Sequence, residues 1–143
     1  MRFLSNKEKK ELLGKLPEGY VVNKKDKLKE DKNIIYNGEN KLLIIWGEGR
    51  FLPHLKSLDD KFYKSVYVDK GAIPFIIKGA DLMRPGIVNI EKDIKKDEVI
   101  LVKDFEFKKT LAIGFSIFSS DDMESQEKGK SVLISHHIGD EYY

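Results

Sequence analysis

The chain contains no cysteine, which excludes a disulfide framework, a zinc ribbon and any thiolate nucleophile or ligand. No apolar run approaches the ~20 residues that cross a bilayer, so no membrane association is expected. The opening stretch MRFLSNKEKKELL breaks into charge before a signal-peptide core can form, and the expected location is the cytoplasm. A P-loop and a nucleophile elbow are also missing. Gly47-Glu48-Gly49 follows an apolar run, but the third glycine of a dinucleotide loop is absent and Pro53 leaves room only for a short helix. No catalytic residue and no cofactor are therefore expected.

What is present suffices for a folded, well-solvated protein. Of 143 residues, 41% are hydrophobic and 35% charged, too apolar for a disordered chain and long enough for one domain or two small ones. The net charge of +2 is too small to hold nucleic acid by bulk electrostatics. Its distribution is uneven: residues 1–63 carry 14 Lys and Arg against 10 Asp and Glu, and residues 64–143 carry 12 against 14. Lys24, Lys25, Lys27, Lys29 and Lys32 crowd one stretch, but Asp26, Glu30 and Asp31 interrupt it, so residues 24–32 read as a solvated loop.

Ser5-Asn6-Lys7-Glu8 has the spacing of a capping box, predicting a short amphipathic helix to about Lys15 with Leu12, Leu13 and Leu16 as its stripe. Tyr20-Val21-Val22 reads as a strand. Ile34-Ile35-Tyr36 and Leu42 to Trp46 flank Asn37-Gly38-Glu39-Asn40, a hairpin signal. The second of these runs lacks alternation, as expected of a strand covered on both faces by helices. Phe51 to Leu58 reads as a short helix with Pro53 in its first turn. Residues 1–63 are thus expected to form a small α/β unit. Beyond them, short β-rich runs at Ser65–Val68, Ile87–Ile90, Val99–Val102, Leu111–Ile117 and Val132–His136 are punctuated by Pro85-Gly86, Asp93, Lys128-Gly129 and Gly139-Asp140, the texture of a compact barrel or sandwich over residues 64–143.

Within that half, Val68-Asp69-Lys70-Gly71-Ala72-Ile73-Pro74-Phe75-Ile76-Ile77-Lys78-Gly79-Ala80-Asp81-Leu82-Met83-Arg84-Pro85-Gly86-Ile87 closely resembles the opening of a PUA domain. The resemblance continues through Thr110-Leu111-Ala112-Ile113-Gly114 and from Gly129 to Asp140. Each element also has a plain structural role. Gly71 turns a strand into a helix, Pro74 suits that helix's first turn, Gly79 suits a left-handed helix end, and Pro85-Gly86 suits the centre of a type II turn. The amino-terminal unit ending in Phe51-Leu52-Pro53-His54-Leu55-Lys56, with the tail from Met123 to Tyr143, looks like the malignant T-cell-amplified sequence family and its archaeal relatives. The additional domains of the related ligatin are not expected. The implied fold class is α+β, a carboxyl-terminal PUA pseudo-β-barrel behind a small α/β pre-PUA unit.

The resemblance implies binding to structured RNA, tRNA or small-subunit ribosomal RNA, in translation initiation or ribosome recycling. It suggests the small ribosomal subunit as a partner, and in eukaryotes the family works beside density-regulated protein. The alternative it leaves open is an accessory RNA-binding subunit of a tRNA- or rRNA-modifying enzyme. Carried onto this sequence, the family's RNA-binding positions are Lys70, Gly71, Lys78, Gly79, Ala80, Met83, Arg84 and Pro85, with a second side from Lys130, His136 and His137.

Arg84 is the first choice among these, since guanidinium pairs bidentately with phosphate or stacks on a base. Lys78 has a competing role in offsetting a helix carboxyl-terminal dipole, and Met83 one as an inward-facing core side chain. Tyr142 and Tyr143 are of a type that stacks on bases. His136-His137-x-x-Asp140 invites a metal or acid–base reading, but neighbours on a strand face opposite ways and no third ligand is apparent, so no metal site is expected.

Overall fold

Ser5 and Glu8 open the first helix as their spacing predicts. In the computed structural model, which describes residues 1–143, the Glu8 amide donates to Ser5 Oγ at 3.2 Å and the Ser5 amide to Glu8 Oε1 at 3.0 Å. This caps α1, Asn6–Leu13. The chain falls into two units, Met1–Asp59 with Tyr142, and Asp60–Glu141 with Tyr143.

The first unit is an antiparallel meander of five strands in sequence order, β1 (Arg2–Phe3), β2 (Leu28–Asp31), β3 (Ile34–Asn37), β4 (Asn40–Ile45) and β5 (Phe51–Pro53). Leu12 of α1 packs with Val22, Leu28, Ile35 and Leu43, burying one sheet face under one helix. The expected hairpin is present, with Gly38 at φ +62° between β3 and β4.

Four local expectations are corrected here. The lysine-rich stretch is not a loop to its end, because Leu28 is buried and draws residues 28–31 into register with β3. Lys32 and Asn33, both at positive φ, form the two-residue turn between them. Tyr20-Val21-Val22 is not a strand, because β1 occupies the edge of β2 that β3 leaves open. Phe51-Leu52-Pro53 is a strand rather than a helix start, pairing along β4 from Ile45 to Leu43. Its proline sits on the last strand of the sheet, where a missing amide interrupts no further ladder. The unit's sheet therefore has one α-helix, on the Leu43 face, rather than helices on both.

The second unit is a curled six-stranded sheet in the order β7-β11-β10-β9-β6-β8. Its strands are β6 (Ser65–Val68), β7 (Leu82–Met83), β8 (Ile87–Ile90), β9 (Val99–Asp104), β10 (Thr110–Ser116) and β11 (Lys130–His137), and only the β6–β9 pair is parallel. Val66, Val68, Ile100, Val102 and Val132 face one core, closed by Ile76 of α2 (Ile73–Ile76) and Met123 of α3 (Ser120–Ser125). The protein is thus mostly β. β10 runs on to Ser116 through a bulge, and a Cβ at Gly114 would stand 2.4 Å from the Leu133 carbonyl oxygen.

Other elements were not legible in the sequence, among them β1, only two residues long. α3 hides in the polar run SSDDMES, where Ser119 caps the helix by accepting the Asp122 amide and Met123 is buried. β7 is only two residues long.

Candidate functional site

The short helix α2 is started by Pro74 in its first turn and stopped at Gly79, whose φ of +90° lets the amides of Gly79 and Ala80 close back on the carbonyls of Ile76 and Phe75 at 3.0 and 3.1 Å. This is a helix end in the left-handed conformation. Gly79 also has a neighbour. His137 Nε2 lies 3.2 Å from where a Cβ on Gly79 would stand.

From that point the chain runs beside β11. The Ile134 amide donates to Asp81 Oδ1 at 2.9 Å, Leu82 pairs with Val132, and Met83 pairs with Lys130. Lys130 Nζ reaches Asp81 Oδ2 at 3.0 Å. The two sets of positions singled out in the sequence, Lys78 to Pro85 and Lys130 to His137, therefore meet along one seam. Lys78, Gly79, Ala80, Met83, Pro85 and Lys130 are exposed on it. At the other end of α2, the Asp69 amide donates to the Gly86 carbonyl at 3.1 Å, which brings exposed Lys70 and Gly71 to the turn containing Pro85.

Arg84 and His136 serve the fold. Arg84 Nε donates to the Met123 carbonyl at 2.7 Å and its terminal nitrogen to the Ile87 carbonyl at 3.1 Å, so the side chain staples the turn Arg84–Gly86 to the end of α3. That turn is a 3₁₀ turn, and Gly86 is not at positive φ. The type II expectation is corrected, because glycine is needed here for space: an added Cβ would meet the Ala72 Cβ at 3.0 Å. His136 is fully buried, with Nδ1 2.9 Å from Asp140 Oδ2. The same carboxylate accepts the amides of His137 and Tyr143, each at 2.9 Å. His136 thus has no surface to offer a ligand, whereas half-buried His137 does. The two rings point to opposite faces, and no group of three or more carboxylate or imidazole side chains is placed to hold a metal ion.

Met83 faces outward, 46% exposed, and with Phe75, Ile77 and Leu133 it adds apolar surface to the α2–β11 region. Sequence reasoning did not single out the last three, since an apolar residue's exposure carries no local sequence signal. It also missed the β9–β10 turn, where Lys108 Nζ sits 3.9 Å from the Phe105 ring centroid and 4.8 Å from that of Tyr67, beside exposed Phe107. No helix is long and apolar enough to cross a membrane.

Comparison with known proteins agrees with this architecture. The family model described as PUA domain matches residues 64–138. An uncharacterized protein of Methanocaldococcus jannaschii is 42% identical over 89 residues, covering 62% of this chain and 54% of its own. Translation machinery-associated protein 20 of Saccharomyces cerevisiae is 32% identical over 120 residues, covering 78% of this chain and 66% of its own. Malignant T-cell-amplified sequence 1-A of Xenopus laevis is 31% identical over 98 residues, covering 65% and 54%. A crystal structure of a hypothetical protein from Pyrococcus horikoshii superposes with a TM-score of 0.77 at 31% identity, over 98% of this chain and 95% of that one. The chain spans between about half and two thirds of the length of the curated relatives it matches.

Proposed function

The chain belongs to the PUA domain family, and from that premise we propose that it is an RNA-binding protein of the translation machinery rather than an enzyme. On this reading it works in the cytoplasm and binds tRNA or small-subunit ribosomal RNA during initiation or ribosome recycling. Its kinship with translation machinery-associated protein 20 and the malignant T-cell-amplified sequence proteins supports the setting.

The observation that carries the reading is the seam between the end of α2 and β11. Lys70 and Lys78 stand exposed beside it and supply charge for phosphates. Met83 and the exposed apolar side chains Phe75 and Ile77 offer surface to an unstacked base. Gly79 and Ala80 are exposed and carry little or no side chain, which lets a ribose or base edge approach the seam closely.

Crosslinking in cells followed by sequencing of the bound RNA tests this, with Lys70→Ala/Lys78→Ala alongside, because neither lysine serves the fold as Arg84 does. Recovery of tRNA or small-subunit rRNA, reduced in the variant, is the expected result. Recovery instead of the substrate RNA of a modifying enzyme, with that enzyme co-purifying, transfers the role to an accessory subunit. No RNA above background overturns the reading.

A further inference from the structure

A second charged site lies in the first unit. Between α1 and the loop leading into β2 is an open cavity of about 430 Å³, lined by Phe3, Lys9, Lys24, Lys25, Asp26 and Lys27 among others. In the sequence three acids interrupt the five lysines of this stretch. In the structure Glu30 and Asp31 pair with other cations, while Asp26 lines the cavity with its carboxylate turned to neutral amide donors. Asp26 Oδ2 accepts the Asn23 amide at 3.0 Å and Asn37 Nδ2 at 3.3 Å. Glu30 is held by Arg2 at 2.8 Å, and Asp31 faces the amino terminus at 3.8 Å. Lys24, Lys25 and Lys27 are exposed and take part in none of the ion pairs.

Lys9 fixes their presentation. Its Nζ donates to the carbonyls of Lys24 and Asp26, pinning the loop over α1 and leaving one of its three donors uncommitted at the cavity wall. An adjoining hollow adds Lys10 to Lys9 and Lys24. Phe3, 63% exposed on the edge strand β1, forms another wall, with Lys29 Nζ 5.8 Å from its ring centroid. An exposed aromatic ring set among lysines is the arrangement that holds unpaired nucleic acid, the ring taking a base face and the ammonium groups the backbone. Duplex RNA offers no free base face. A membrane surface calls for a broad apolar face, and this wall has a single exposed ring.

We propose that this cavity is a second RNA site, binding an unpaired segment through phosphates at Lys24, Lys25 and Lys27 and a base stacked on Phe3. It rests on the reading above only in taking RNA as the ligand, and it gives the chain a hold separate from the α2–β11 seam.

The test is titration of a labelled dodecamer of uridine with the intact chain across a range of salt. Lys24→Ala/Lys25→Ala/Lys27→Ala is expected to lower the slope of log affinity against log salt by about 2, at ~0.7 per phosphate contact on a single strand. Phe3→Ala should weaken binding roughly 5- to 100-fold with the slope unchanged, as loss of one stacked base does. Melting temperatures confirm that each variant is folded. Lys70→Ala/Lys78→Ala, run in parallel, separates the two sites: oligomer binding that survives it and is lost in the triple variant supports the inference even if the seam fails. Wild-type affinity and slope in the triple variant overturn it, as does no binding of the dodecamer by the wild-type chain. Preference for vesicles containing phosphatidylserine over the oligomer overturns it in favour of a lipid surface.

Discussion

His137 presses its imidazole against Gly79, with Nε2 3.2 Å from where a Cβ would stand, and Gly79 holds a φ of +90° that an L side chain rarely adopts. Gly79→Ala combines backbone strain of about 1–2 kcal/mol with displacement of the ring. The expected result is a clear fall in melting temperature together with weaker RNA binding at the seam, read by circular dichroism and by titration. An unchanged melting temperature would show that the helix end is not under this constraint.

Arg84 and the seam lysines should separate stability from binding. Arg84→Ala removes hydrogen bonds to two carbonyls, Met123 and Ile87, at a cost of about 1–3 kcal/mol in denaturant unfolding. Lys70→Ala/Lys78→Ala removes two exposed cations with no ion pair and should leave the unfolding midpoint in place while flattening the salt dependence of RNA binding. If Arg84→Ala unfolds like the wild type, its staple carries no stability.

Asp140 satisfies the buried His136 ring and the amides of His137 and Tyr143. Asp140→Ala removes a hydrogen bond from the fully buried His136 ring and from both amides, and is expected to destabilise the second unit by roughly 2–3 kcal/mol. Hydrogen exchange at the His137 amide should rise in step with that loss. Protection equal to the wild type would refute the assignment.

Acid should weaken the start of α1. The Arg2 guanidinium, hydrogen-bonded to Glu8 at 2.7 and 2.8 Å, holds the Glu8 carboxyl down at about 2 from the ordinary 4.5, aided by the Ser5 amide. A depressed folded-state pKa stabilises the fold above the unfolded value, and that contribution is lost as pH falls from about 4.5 through about 2. Carboxyl NMR titration should find Glu8 near that low value, and Arg2→Ala should return it toward the ordinary range. A normal midpoint in the wild-type chain would mean the pair is not formed.

What could be read in advance was short-range. Ser5 and Glu8 are three residues apart and specify their helix start by themselves. Gly38 needs only its neighbours to turn a hairpin, and Gly79 only its own helix to end it. The short β-rich runs of the second unit name their strands because turn residues bound each of them. Leu28 among lysines was missed because one buried residue leaves no periodic trace, and Phe51-Leu52-Pro53 because only the open edge of β4 makes a strand of it.

The candidate site divides along the same line. Residues 68–87 and 129–140 by themselves determined the family and the positions worth inspecting. Which of those positions face solvent was decided by tertiary structure: Arg84 turns inward to two carbonyls that lie 39 and 3 residues away, and His136 is buried on Asp140 while His137 meets Gly79. The same holds for Lys24, Lys25 and Lys27, whose neighbour Asp26 accepts from Asn23 and Asn37 rather than pairing with them. Residue type and local spacing set what a side chain is able to do, but which partners it meets, near in sequence or far, depends on how the chain packs around it, and only the folded chain assigns them.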